Sequence, residues 1–189
     1  VWELDGVPAC AVRCFRRDDV ENGGGGTFHP SGAWLASADY GELALWPARL
    51  PQSRVLPGHL EGPVLDLAFS PDSRTLASGA RDGVRLWPLD PGSGEARRVD
   101  LPREHFAYGV AWSPSGGDLA ISAPVIGAYL APARGGPARL ILPYPAQTMA
   151  LGRIAFDREG RRVAVASHYA AEARHLRVYL VHLGLGRVD

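Results

Sequence analysis

The sequence predicts an all-β fold assembled from four repeats of four short antiparallel strands. Two features point there: turn-like tetrads recur at a near-constant step, and a short apolar strand ending in serine follows each one. A third agrees with them, since no segment carries apolar residues at convincing helical spacing.

The tetrads are His29-Pro30-Ser31-Gly32, Ser70-Pro71-Asp72-Ser73, Ser113-Pro114-Ser115-Gly116 and Asp157-Arg158-Glu159-Gly160. At their second residues the steps are 41, 43 and 44, from 30 to 71, 71 to 114 and 114 to 158. Ser or Asp first, Pro second and Gly last suit a type I turn. An aromatic residue precedes each: Phe28, Phe69, Trp112 and Phe156. The strands that follow end at Ser37, Ser78, Ser122 and Ser167. A further strand closes on a large residue: Trp46, Trp87, Leu130 and Tyr179. A more polar strand closes each of the first three units, as in Ala96 to Leu101. Inner strands such as Val64-Leu65-Asp66-Leu67-Ala68-Phe69 are apolar on both faces, the pattern of a sheet covered on both sides.

The units run 1–22 (partial), 23–57, 58–102, 103–143 and 144–189. Val1-Trp2-Glu3-Leu4 has the look of a third strand from an earlier unit, because Trp2 precedes Trp46 by 44 residues. The chain is expected to stop just after the third strand of its last unit and to leave a ring incomplete. Twenty basic and twenty acidic residues cancel, so no global field recruits nucleic acid or anionic lipid. No apolar run approaches the roughly twenty residues of a membrane span. Cys10 and Cys14, four apart in a strand, lie roughly 13 Å from one another, too far for a disulfide. Two free thiols fit a reducing compartment, so a cytoplasmic location is expected.

The second unit carries a close family resemblance. Gly58-His59, Val64 to Phe69, Ser70-Pro71-Asp72, Leu76-Ala77-Ser78-Gly79, Asp82-Gly83 and Val84-Arg85-Leu86-Trp87 resemble a WD-repeat motif. The likeness is strongest there, good in the first unit and weaker in the last two. It implies a divergent, bacterial WD-repeat β-propeller, a ring of four-stranded blades of which about four are present. It also implies that His59, Ser78, Asp82 and Trp87 form a buried hydrogen-bonded network that pins the blade. The first unit keeps Ser37 and Trp46, the third His105 and Ser122, and the fourth Ser167 with Tyr179 in the tryptophan place. No tryptophan is followed by aspartate, since Trp46 and Trp87 precede proline and Trp2 precedes Glu3.

His59, Ser78 and Asp82 also have the composition of a hydrolase triad. Ser78 lies within a strand and lacks a Gly-x-Ser-x-Gly elbow, so a structural role is expected and no catalytic residue is assigned. Gly23 to Gly26 lacks the lysine and Ser/Thr of a phosphate loop and reads as a flexible loop. His168 and His175, with Glu172 between them, match no zinc spacing, and no metal or cofactor is expected.

Binding, if present, is expected on the loop face bearing Tyr40, Glu61, Arg81, Phe106, Tyr108, His168, Tyr169 and Arg174. Aromatics and arginines on loops over a rigid scaffold are common anchors. Arg97 and Arg98 fit a solvated rim. The leading function is a non-catalytic protein–protein interaction scaffold or sensor, part of a larger signalling protein such as a kinase or STAND-type NTPase. The alternative is the propeller of a prolyl-oligopeptidase-like hydrolase, gating a separate catalytic domain. A protein or peptide partner is expected, with self-association through open blade edges.

Overall fold

A computed structural model describes residues 26–31, 34–39, 42–47, 54–56, 58–60, 62–90, 93–102, 106–144, 150–168, 177–184 and 187–188. The described residues form strands and turns, with no helix among them. The first sheet holds β1 (Gly26–Phe28), β2 (Trp34–Asp39), β3 (Glu42–Pro47) and β4 (Arg54–Val55). The second holds β5 (Val64–Phe69), β6 (Thr75–Ala80), β7 (Gly83–Pro88) and β8 (Arg97–Arg98). The third holds β9 (Gly109–Trp112), β10 (Asp118–Ala123), β11 (Gly127–Pro132) and β12 (Arg139–Pro143). The fourth holds β13 (Ala150–Phe156), β14 (Arg162–His168), β15 (Val178–His182) and β16 (Arg187–Val188). Each sheet is an antiparallel meander in chain order, and successive sheets stack as blades that, among the described residues, do not close a ring.

Each blade is set by its first hairpin. In the last three blades the amide of the fourth tetrad residue bonds the carbonyl of the first: Ser73 to Ser70, Gly116 to Ser113 and Gly160 to Asp157. The amide of the first then bonds the strand beyond, as in Ser70 to Thr75 at 2.8 Å and His29 to Trp34 at 2.8 Å. The fourth position therefore turns left-handed, with φ of 64° at Ser73, 71° at Gly116 and 69° at Gly160. A type I turn followed by a left-handed residue is a favoured hairpin loop, which explains glycine at the end of the tetrad.

The strands are apolar because each blade is covered by its neighbours. Leu76 and Ala80 of β6 pack with Ala36 and Leu45 of the first blade. Ala77, between them, packs with Leu119 and Ile121 of the third. A third core joins Ala120 and Ala128 to Val163, Val165 and Val181. Burying one such leucine contributes about 1.5–3 kcal/mol.

Two sequence expectations are corrected. β15 starts at Val178 and runs past Tyr179 to His182, and β16 supplies a fourth strand where the chain was expected to stop after the third. The segments 1–4 and 169–176 and both cysteines lie outside the described residues. Two bulges interrupt the inner pairs, between Val64 and Asp66 in β5 and between Leu151 and Ile154 in β13.

Candidate functional site

In the second blade one polar chain runs through the packed core. β6 delivers Ser78, β7 delivers Trp87, the turn between them delivers Asp82, and the segment before β5 delivers His59. The Trp87 indole N–H donates to Ser78 Oγ at 2.7 Å, and Ser78 lies 2.6 Å from His59 Nε2. His59 Nδ1 lies 2.5 Å from Asp82 Oδ1. One proton assignment satisfies every member: indole to hydroxyl, hydroxyl to Nε2, Nδ1–H to carboxylate. That assignment needs a neutral imidazole. Burial pushes the His59 pKa below its ordinary value and outweighs the raising pull of Asp82. The second Asp82 oxygen accepts the Leu60 amide at 3.2 Å and Arg85 at 3.3 Å. Burial alone would raise the Asp82 pKa, but these bonds, that from His59 foremost, leave it lowered. Gly58 belongs to the same construction, because a Cβ there would come within 2.7 Å of the Trp87 ring.

Ser78 is wholly buried, and its hydroxyl is bonded on both sides, by the indole and by the imidazole. A nucleophile must reach its substrate and meet an oxyanion hole, whereas this serine sits inside a strand between packed sheets.

Of the other three units, the first keeps this register and the third and fourth depart from it. Ser37 pairs with Ala44 and Trp46 with Leu35, the register that Ser78 and Trp87 hold in the second blade. Ser122 stands one residue farther from its turn, so it faces the other way and donates to the Gly152 carbonyl of the fourth blade. Ser167 stands two residues farther and accepts the Arg177 amide at 2.8 Å. Opposite Val163, where the second blade has Trp87, the fourth has Val181, whereas Tyr179 pairs with Val165. The expectation that Tyr179 fills the tryptophan place is thereby corrected. His105 lies outside the described residues.

A second grouping lies on the loop face between the second and third blades. The Ala107 amide bonds the Ala80 carbonyl of β6 at 2.9 Å, and the Tyr108 amide bonds the Ser122 carbonyl at 2.8 Å. Ala107 is wholly buried. Its neighbours Phe106 and Tyr108 therefore share the opposite side, where their rings meet edge-on with centroids 5.7 Å apart. Arg81 follows Ala80 directly, and its guanidinium lies over the Phe106 ring, 5.9 Å from the centroid. The structure thus brings together Arg81, Phe106 and Tyr108. Tyr40, Glu61, Tyr169 and Arg174 fall outside the described residues. His168 ends β14, and only its backbone, paired with Ala150, is described.

Sequence reasoning passed over Asp66 and Arg153. Asp66 is buried, accepts the Val110 amide of β9 at 3.0 Å, and forms an ion pair with Arg153 of β13. Burial raises its pKa against the lowering effect of both partners. The available signal was one carboxylate within an otherwise apolar inner strand. Arg97 and Arg98 are more than a solvated rim, since Arg97 donates to the Ala133 carbonyl and Arg98 to the Asp82 carbonyl. Among the described residues no three His, Cys, Asp or Glu side chains gather as a metal site.

Repeated four-stranded meanders stacked face to face, one of them pinned by a buried Trp–Ser–His–Asp chain, define a propeller-type repeat architecture. Residues 50–87 match the family model described as WD domain, G-beta repeat, and with the four antiparallel sheets this match fits a WD-repeat propeller. No curated protein matches the chain.

Proposed function

We propose that this chain is a non-catalytic interaction module that holds a protein or peptide segment on the loop face of its second and third blades. WD-repeat domains typically bind proteins or peptides, which sets the class. The observation that carries the reading is the Arg81–Phe106–Tyr108 cluster. It has aromatic surface and a guanidinium, and its backbone is fastened to two blades at once. A partner meeting such a surface has little ordering left to impose, which favours binding. The role is that of a scaffold or sensor within a larger signalling protein, in the cytoplasm, and open blade faces add a tendency to self-associate.

The test is selection of displayed peptides against the whole chain, followed by single substitutions. Arg81→Ala and Tyr108→Ala are expected to weaken the selected peptides, a central anchor being worth about 2 kcal/mol or more. Arg134→Ala, in the hairpin turn on the opposite face, is expected to leave them unchanged. Loss of binding in Arg134→Ala alone would place the site elsewhere.

A further inference from the structure

The loop face holds a cation and apolar groups in one place, and together they specify a partner. Arg81 is exposed, yet its side chain is held on two sides. Its stem runs so close to Gly62 that a Cβ there would lie 2.9 Å from Arg81 Cδ, and its guanidinium rests on Phe106. Gly62 also has φ of 74°, so both space and backbone favour glycine beneath this arginine.

Among the described residues no carboxylate pairs with Arg81. The nearest acid in sequence, Asp82, is turned inward, with both oxygens bonded by His59, Leu60 and Arg85. Its charge is already met by Arg85 at 3.3 Å. A guanidinium stacked on a ring still presents its N–H edge, in the fork geometry that suits a carboxylate.

Apolar groups stand on the same face. Leu60 is 86% exposed, and its amide is tied to Asp82, so an apolar side chain is displayed on a fixed backbone. Val125, 66% exposed, lies in the corresponding turn of the third blade. Among the described residues the other exposed large apolar side chains, Phe28, Leu140 and Val178, belong to strands.

Resting on the proposed peptide-binding role, we infer that the partner segment presents an acidic side chain next to a large apolar one. Its carboxylate pairs with Arg81, and its apolar neighbour packs against Leu60, Phe106 and Tyr108. The charge complementarity of an exposed, stacked arginine beside displayed apolar groups selects this occupant over a basic or purely apolar one.

The experiment pans a random octapeptide display library against the whole chain and synthesises the strongest binder. Variants then replace its acid by the amide, by lysine or by phosphoserine. Enriched peptides are expected to carry Asp or Glu beside Leu, Ile, Phe or Met. The acid-to-amide change is expected to weaken binding to the wild-type chain about tenfold and binding to Arg81→Gln less than twofold, the pattern of a direct charge pair. The lysine variant is expected to lose binding, and more phosphoserine than carboxylate affinity would reassign the site to a phosphate. Enriched peptides without an acid, or an equal amide effect in both proteins, would overturn the inference. If such peptides still lose binding in Phe106→Ala and Tyr108→Ala, the loop-face reading survives and only the acidic specificity fails. If no peptide is enriched, or these two variants bind as the wild type does, both readings fail.

Discussion

The Asp66 carboxylate in the second blade is paired with the Arg153 guanidinium in the fourth, across the inner strand of the third. Both residues sit at β-bulges, where an extra residue in the strand redirects a side chain out of its regular alternation. Asp66 also takes the Val110 amide, so one carboxylate joins three consecutive blades.

Its two partners are expected to matter unequally. Arg153 is 68% exposed at its side chain, so Arg153→Ala should cost at most about 1 kcal/mol. Asp66→Ala strands the Val110 N–H inside the protein and should cost about 1–3 kcal/mol. Asp66→Asn keeps an oxygen for that amide and should fall between them. Urea unfolding of the three variants orders them, and Arg153→Ala emerging as the most damaging would contradict this account.

In the Trp87–Ser78–His59–Asp82 chain, removing the ring and removing a polar link should differ in cause. Trp87→Ala opens a cavity and should cost about 3–5 kcal/mol. Ser78→Ala leaves the indole N–H and the imidazole without their shared partner and should cost about 1–3 kcal/mol per group. Trp87→Phe restores most of the volume but not the donor, so its loss should lie well below that of Trp87→Ala. Thermal unfolding checks the order.

The parts of this network legible in the sequence were those whose spacing matched the second unit. The turns were legible because Pro and Gly mark fixed backbone conformations. The serines were harder, since Ser37 and Ser78 stand seven residues beyond the second tetrad residue, Ser122 eight and Ser167 nine. One added residue turns Ser122 to the opposite face, and composition alone does not reveal that reversal. The Asp66–Arg153 pair depends on two bulges and on blade stacking across 87 residues, which no local pattern carries.

Acid should loosen the second blade through His59. Burial holds this imidazole below its ordinary 6.5, so the unfolded chain takes up a proton that the folded chain refuses. Its stabilising contribution is complete above pH 6.5 and is lost as pH falls toward the lowered folded value. Asp82, lowered from 3.8 chiefly by its bond from His59, stays ionised between pH 7.5 and pH 5. Asp66 acts in the opposite sense, because burial raises its pKa from 3.8 and its ionisation costs stability as pH rises. Comparing His59→Gln with wild type from pH 7.5 to pH 5 isolates the histidine. The wild type should lose more stability on acidification, and equal slopes would reject the neutral, buried imidazole.

The left-handed turn position gives a graded prediction. Gly160→Ala and Gly116→Ala should each cost about 1–2 kcal/mol from backbone strain. Gly160 should be the worse, because its added Cβ would lie 3.2 Å from Pro114 Cδ, against 3.7 Å between Gly116 and Pro71. Ser73 adopts the same conformation without being glycine. Ser73→Gly relieves that strain while freeing the unfolded chain by about 0.4–1 kcal/mol, so a net gain of up to about 1.5 kcal/mol is expected. Denaturant midpoints of the three variants decide it.

The open stack should make the chain associate. Each internal junction joins two apolar sheet faces, but among the described residues no further blade covers the outer faces of the first and fourth. Alternation along β15 turns Val181 into the shared core and Val178 away from it, 69% exposed. Phe28, at the end of β1, is 66% exposed. Apolar side chains displayed on an outer sheet face favour association, and unpaired sheet edges add to the effect. Light scattering after size exclusion is therefore expected to show species heavier than one chain, increasing with concentration. Val178→Glu combined with Phe28→Ser should shift the distribution toward the single chain without lowering the unfolding midpoint, because neither side chain is buried. A single-chain mass for the unaltered protein over a hundredfold range of concentration would refute association through these faces. Heavier species that persist unchanged in the double variant would assign the contact to another surface.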